Sequence, residues 1–188
     1  MPRVFFGLEI PDAVKKRLLA IQGPVTGAKW QNRSQLHLTL AFLGEVDDQC
    51  VPDLCQAASG VQVPVFELEV LGLGTFGRAE SPRNLWAGVS GEEALRGLQH
   101  ALSEKLAEAG CEPGPSAFQP HITLARFRKQ AGSVVPLLEA HGNDRFGPMP
   151  VMEFVLFESA PGHSGSVYTV IERFPLGRSL DETPVPGQ

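Results

Sequence analysis

Cysteine is scarce. Cys50, Cys55 and Cys111 form an odd set with no CxxC pair, which suits free thiols in a reducing compartment better than a disulfide framework, so a cytoplasmic protein is expected. A basic excess is missing too: 16 Lys and Arg against 21 Asp and Glu leave a formal charge of -5. That argues against a long groove that neutralises many phosphates, so a nucleic-acid ligand would be gripped over a short piece only. Long apolar runs are absent. The opening stretch is broken by Glu9, too early for a signal peptide's hydrophobic core, and no later run approaches the roughly 20 residues of a membrane span. With 43% hydrophobic and 20% charged residues, disorder, collagen-like structure and fibrous repeats are poor readings. The 188 residues fit one domain or two closely packed lobes.

Hydrophobic periodicity gives an order of elements. Residues 4–10 read as a buried strand, and Pro11-Asp12 opens a helix with Val14, Leu18 and Ile21 at helical spacing. A second strand covers 36–43. A weaker helix runs to Ser59, and strands follow at 65–71 and 85–89, separated by a loop with Gly74, Gly77 and Pro82. The clearest helix begins at Glu92, with Leu95, Leu98, Leu102 and Leu106 on one face and Gly110 as its stop. A loop at 112–116, a strand at 120–127, a short helix at 134–140 and strands at 151–157 and 167–174 complete the chain. The order nearly repeats itself halfway, which implies two similar lobes.

One pattern stands out. His37-Leu38-Thr39-Leu40 and His121-Ile122-Thr123-Leu124 are the same tetrapeptide, His-x-Thr-Leu, each inside an expected strand. At ordinary residue frequencies one such tetrapeptide is expected on the order of a few hundredths of a time in a chain of this length. Residues two apart in a strand share a face, so His37 with Thr39, and His121 with Thr123, each present an imidazole beside a hydroxyl while the leucines point into the core. If the lobes face each other about a pseudo-twofold axis, the imidazoles converge on one point, where one can take a proton and the other give one. A catalytic zinc site usually needs three protein ligands, and neither motif has a neighbouring Cys, Asp or Glu at ligand spacing, so neither metal nor cofactor is expected. The paired histidines predict a bell-shaped pH profile with both limbs near ordinary histidine values.

The two motifs resemble those of the 2H phosphoesterase superfamily. The longer segments Arg3 to Pro11, Leu36 to Glu45, Leu85 to Val89, Pro120 to Arg126 and Tyr168 to Leu176 are similar to its LigT-like branch, the RNA 2′,3′-cyclic phosphodiesterases also called 2′-5′ RNA ligases. The resemblance implies an α+β, bilobal, pseudo-twofold fold over residues 1–188, with two antiparallel sheets forming a concave cleft, helices on the outer faces and one motif per lobe. It also implies metal-independent hydrolysis of a terminal 2′,3′-cyclic phosphate to a 2′-phosphate, with RNA 3′ ends or nucleotides as partners of a monomeric enzyme and with reversible 2′-5′ joining in some members. By the same resemblance His37 is the proton donor to the leaving 3′-oxygen and His121 the acceptor that activates water. Thr39 and Thr123 then hold non-bridging oxygens. The alternatives are a 2H phosphodiesterase acting on a small cyclic nucleotide and a non-catalytic RNA-end binding protein.

Two substrate-binding residues complete the expectation. Arg126 matches the family arginine after the second motif but has the wrong parity for the His121 face, so a bulge or strand end must re-aim it. Phe5 and Phe6 lie on opposite strand faces, and Phe5 is the one expected to stack on a nucleobase, because Val4, Phe6 and Leu8 form the more apolar face. Trp30, Trp86 and Tyr168 read as packing residues. Lys29, Arg33, Arg78 and Arg83 are candidates for a modest basic rim, and His100, His141 and His163, lacking a Thr partner, carry no role.

Overall fold

The computed structural model describes residues 1–111, 113 and 117–177, so most of the loop expected at 112–116 lies outside the described residues. The first unit is strand β1 (Arg3–Glu9), helix α1 (Asp12–Ala20), the short strand β2 (Ala28–Trp30) and strand β3 (His37–Glu45). A 3₁₀ turn leads into helix α2 (Val51–Ser59), followed by strands β4 (Phe66–Arg78) and β5 (Ser81–Ser90) and helix α3 (Glu92–Glu108). Strand β6 (Ile122–Phe127), helix α4 (Val135–His141) and strands β7 (Arg145–Val151), β8 (Glu153–Gly162) and β9 (Gly165–Pro175) follow.

The strands form one antiparallel sheet in the order β7-β4-β5-β6-β3-β1-β8-β9, with β2 on β6, curled into a half-barrel. The α+β architecture therefore stands, and the two antiparallel sheets expected from the resemblance are the two halves of this sheet. They meet where β3 pairs β6 through Leu38 and Ile122 alone. Each half repeats strand, helix, motif strand: β1-α1-β3 and β5-α3-β6.

Burial follows the strand alternation. Val4, Phe6, Leu8, Leu38, Leu40, Leu85, Ala87, Ile122 and Leu124 share one core with Val14 and Leu18 of α1, Leu54 of α2 and the leucine stripe of α3. That stripe is the one the helical spacing predicts, and Gly91, at φ 88, ends β5 and admits the sharp turn into α3. The opposite face of the sheet carries the small cluster Phe5, Val155 and Phe157.

Three features escape the sequence pattern. Strand β7 contains Pro148 and Pro150 and reads as a loop, yet it lies at the sheet edge, where a residue without an N–H is tolerated. Strand β4 runs on through Gly74 to Arg78 as a hairpin with β5, carrying irregularities at Leu71/Leu73 and Phe76/Gly77. Strand β2 is only three residues long, below what periodicity can register.

Truncating Leu98 at the centre of the α3 stripe is expected to cost about 2–5 kcal/mol in urea unfolding, whereas Met152→Ala at an exposed position should stay within about 0.5 kcal/mol. Equal effects would contradict the described core.

Candidate active site

The Leu38–Ile122 pair joins the x positions of the two His-x-Thr-Leu motifs. Continuing that antiparallel register by one residue each way sets His37 opposite Thr123 and Thr39 opposite His121. Both imidazoles and both hydroxyls thus fall on the face turned away from the helices.

The two histidines are held in the same manner. His37 Nδ1–H donates to the Gln35 carbonyl at 2.8 Å, and His121 Nδ1–H donates to the Gln119 carbonyl at 2.6 Å. A carbonyl only accepts, so each bond places the neutral imidazole's proton on Nδ1 and leaves Nε2 as the reactive lone pair. In His37 that lone pair takes the Thr39 hydroxyl at 3.0 Å. The longer repeat, Gln-x-His-x-Thr-Leu-Ala, is readable in the sequence at 35–41 and 119–125, but the use of its glutamines is not. Gln35 does more: its buried side chain donates to the carbonyls of Ser164 and Ser166 and accepts from the Asn32 N–H. It thereby pins the β8–β9 turn beside His37.

His37 sits in an aromatic enclosure. Its ring lies 4.8 Å from Phe5, 4.9 Å edge-on from Tyr168 and 6.4 Å from Phe157. Burial lowers its pKa from 6.5 to about 4, opposed by the Gln35 carbonyl and reinforced by the charges of Arg126, His121 and Lys15. Burial therefore holds His37 neutral at pH 7.

A cavity of about 300 Å³ is lined by His37, Thr39, Phe5, Arg126, Lys29 and Tyr168, among others. Arg126 reaches it through a bulge. Leu85 pairs Ala125 and Trp86 pairs Thr123, so Leu124 is the extra residue, and Leu124 and Ala125 are both buried before Arg126 emerges on the imidazole face. The re-aiming that the parity argument demands is thus present. The first motif has the same device at Leu40, since Phe6 pairs Ala41 and Gly7 pairs Thr39. That bulge turns Phe42, the counterpart of Arg126, onto the cavity at 53% exposure, with the Arg3 guanidinium 5.8 Å over its ring. Phe42 and Arg3 are residues that sequence reasoning missed, although the match of 37–42 with 121–126 could have found Phe42.

The remaining expectations divide. Phe5 is on the cleft face but only 3% exposed, its ring stacked on Phe157 and set against His37; it serves as a floor beneath the imidazole, and a base-stacking platform would have to be open. Tyr168, read as packing, borders the cavity. Of the candidate basic rim, Lys29 faces the cavity as the cross-strand neighbour of Arg126, whereas Arg33 pairs with Asp12 at 3.1 Å and Arg78 lies 3.8 Å from Glu80. His100 and His141 pair with Glu104 and Asp144. Thr123 is half-buried on β6, and His121 borders a second cavity with Phe76 and Trp86. Among the described residues, no group of three or more His, Cys, Asp or Glu side chains could hold a metal ion, and no helix is long and apolar enough to cross a membrane.

Two imidazoles with freed Nε2 atoms, two hydroxyls and an arginine thus share one face of a curled antiparallel sheet. The family model described as LigT like phosphoesterase matches residues 8–86 and 88–168, and the chain belongs to that family. It is similar to the RNA 2′,3′-cyclic phosphodiesterase of Thermus thermophilus, with 36% identity over 186 residues, 93% of this chain and 90% of that one. The protein of the same name from Archaeoglobus fulgidus is 29% identical over 92% of this chain and 99% of its own. The crystal structure of Escherichia coli LigT complexed with 3′-AMP superposes with a TM-score of 0.79 at 28% identity, covering 95% of this chain and all (100%) of that one.

A histidine NMR titration of the free protein should find His37 with a midpoint near pH 4, and Phe5→Ala should move it back toward 6.5 by admitting water. An ordinary midpoint in the unsubstituted protein would refute the enclosure.

Proposed function

We propose that this protein opens terminal 2′,3′-cyclic phosphates of RNA to 2′-phosphates by acid-base catalysis between His37 and His121, with no metal taking part. The observation that carries the reading is the pairing of the two motifs at Leu38–Ile122 with both Nδ1 atoms tied to backbone carbonyls. That arrangement aims two proton-transfer atoms at one face. The relatives named above support the substrate class. We further read residues 1–188 as a single bilobal domain, one motif per lobe, acting as a cytoplasmic monomer.

In this reading the terminal nucleoside occupies the cavity beside His37, with Phe42 as the open ring for its base. The cyclic phosphate lies between the imidazoles, and Thr39, Thr123 and Arg126 bind its non-bridging oxygens. His121 takes a proton from water, the water oxygen attacks phosphorus, the P–O3′ bond breaks and His37 gives its proton to O3′. The roles follow from position: O3′ belongs to the nucleoside on the His37 side, so the nucleophile of an in-line displacement comes from the His121 side. The phosphate anion supplies the charge that raises His37 and protonates it in the complex. Run backwards with a ribose 5′-hydroxyl in place of water, the same steps join ends through a 2′-5′ linkage. The basic groups at the cavity, Arg3, Lys29 and Arg126, suffice for one terminal nucleotide. Small nucleoside 2′,3′-cyclic phosphates should therefore be substrates as well.

With an oligonucleotide ending in a 2′,3′-cyclic phosphate and a chelator present, the product should be the 2′-phosphate. His37→Ala and His121→Ala should each lower kcat by roughly 10²–10⁴-fold while retaining affinity for the 2′-phosphate product, and the double variant should lose far less than the product of the two. Near-normal turnover in either variant would make a non-catalytic RNA-end binder the better account.

The pH profile carries a second expectation. Burial opposes the proton that His37 must carry, so the limb of kcat/KM that belongs to His37 should fall near pH 4 instead of in the ordinary histidine range that the sequence suggests. The same limb of kcat, which reports the complex, should lie higher. Coincident limbs near pH 6.5 would contradict the burial argument.

A further inference from the structure

One end of the His37 cavity carries more positive charge than the reacting phosphate requires. Lys29 and Arg126 stand directly opposite each other on β2 and β6 and line the same cavity. Like charges in that position destabilise a strand pair, and among the described residues neither cation is matched by a carboxylate. Arg126 is accounted for by the reacting phosphate. Lys29 is left over.

Its position is fixed from two sides. Strand β2 is only three residues long, yet Trp30 Nε1–H donates to the Gly23 carbonyl at 2.9 Å and the Gln31 N–H to the Leu124 carbonyl at 2.8 Å, which tie the segment to its own loop and to β6. From across the cavity the β8–β9 turn closes on the ammonium group: a Cβ on Gly165 would fall 3.1 Å from Lys29 Nζ and 2.9 Å from Gln35 Nε2. Gln35 holds that same turn through the carbonyls of Ser164 and Ser166. Strands β2 and β3 both pair with β6, through Lys29–Arg126 and Leu38–Ile122. Along that line Lys29 comes before His37 and the exposed ring of Phe42 lies beyond it.

The shape of the substrate gives this end a use. In a nucleoside 2′,3′-cyclic phosphate the phosphate bridges C2′ and C3′, the base leaves from C1′ and the 5′ substituent from C4′. Base and 5′ substituent therefore diverge on the two sides of the reacting group, and with the base on Phe42 the 5′-oxygen points toward Lys29. We propose that Lys29, beside the β8–β9 turn, is a subsite for the 5′-phosphate of the terminal nucleotide, which makes a nucleotide still joined to a chain a better substrate than a free nucleoside cyclic phosphate. This rests on the reading of the protein as a cyclic phosphodiesterase with the base at Phe42. Two phosphates then answer two opposed cations, one each. A grip of that length also suits a protein whose formal charge is -5.

The test compares two substrates that differ in one charge. Cytidine 2′,3′-cyclic phosphate with a free 5′-hydroxyl is set against the same compound carrying a methyl phosphodiester at O5′, which reproduces the chain linkage without a second base. The ratio of their kcat/KM values is read, so any change in the shared histidine machinery cancels. The phosphodiester should be favoured about tenfold, the size of effect expected for one charge-assisted hydrogen bond. Lys29→Met, at an exposed strand position, should bring the two values together, and Lys29→Arg should keep most of the preference. Arg3→Gln removes one positive charge from the other end of the cavity and should leave the ratio near its original value. No preference in the unsubstituted protein, a preference that survives Lys29→Met, or one that falls as far in Arg3→Gln as in Lys29→Met, the mark of a diffuse attraction, would overturn the subsite while leaving hydrolysis in place. An unsubstituted protein that hydrolyses neither compound would instead sink the underlying reading, and this inference with it.

Discussion

Everything at the site depends on one backbone pairing, Leu38 against Ile122, between two strands that otherwise belong to separate halves of the sheet. Because the pair joins equivalent positions of a repeated motif in antiparallel strands, the local twofold passes between them and each histidine faces the other motif's threonine. A slip of one residue would turn every side chain of one motif to the opposite face. The buried x and Leu positions on both strands resist such a slip, since Leu38, Leu40, Ile122 and Leu124 would exchange places with imidazoles and hydroxyls. The apolar core behind the sheet thus enforces the polar geometry in front of it.

The symmetry stops at the surroundings of the two rings. His37 is enclosed by Phe5, Phe157 and Tyr168, and that loss of water sets its affinity for a proton. His121 stands at the wall of an open cavity between Phe76 and Trp86. A pair of chemically identical groups can do different work when one is desolvated and the other borders an open cavity. Gln35 strengthens the distinction. Its carbonyl fixes the tautomer of His37 and its side chain ties down the β8–β9 turn that helps to form the enclosure.

The bulges at Leu40 and Leu124 supply the third element of the design. Each makes the last residue of the motif the extra one, so that residues five beyond the histidines return to the histidine face. The two halves then diverge at that position, with Phe42 on one side and Arg126 on the other: a ring suited to a base and a cation suited to a phosphate. The same backbone irregularity in the two strands thus presents two different chemistries.

Much of this was legible in the chain itself. Alternation in 37–40 and 121–124 assigns the histidines and threonines to one face and the leucines to the core, because strand side chains alternate whatever the neighbours are. The spacing of Leu95, Leu98, Leu102 and Leu106 defines α3 for the same local reason. Counting parity even shows that Arg126 needs a bulge. What the chain could not yield is whatever depends on partners distant in sequence. Phe5 is closed off because Phe157 and Tyr168 arrive from strands at the far end of the chain, so exposure, and with it the choice between floor and platform, is a property of the assembled sheet. The lowered proton affinity of His37 has the same origin. Pro148 and Pro150 read as loop until their strand is placed at the sheet edge, and Trp86 reads as packing until its indole is seen lying over Gly74 beside His121. Periodicity is a local signal, written along one strand or helix; burial, tautomer and the shape of a cavity are set by contacts between segments that only folding brings together.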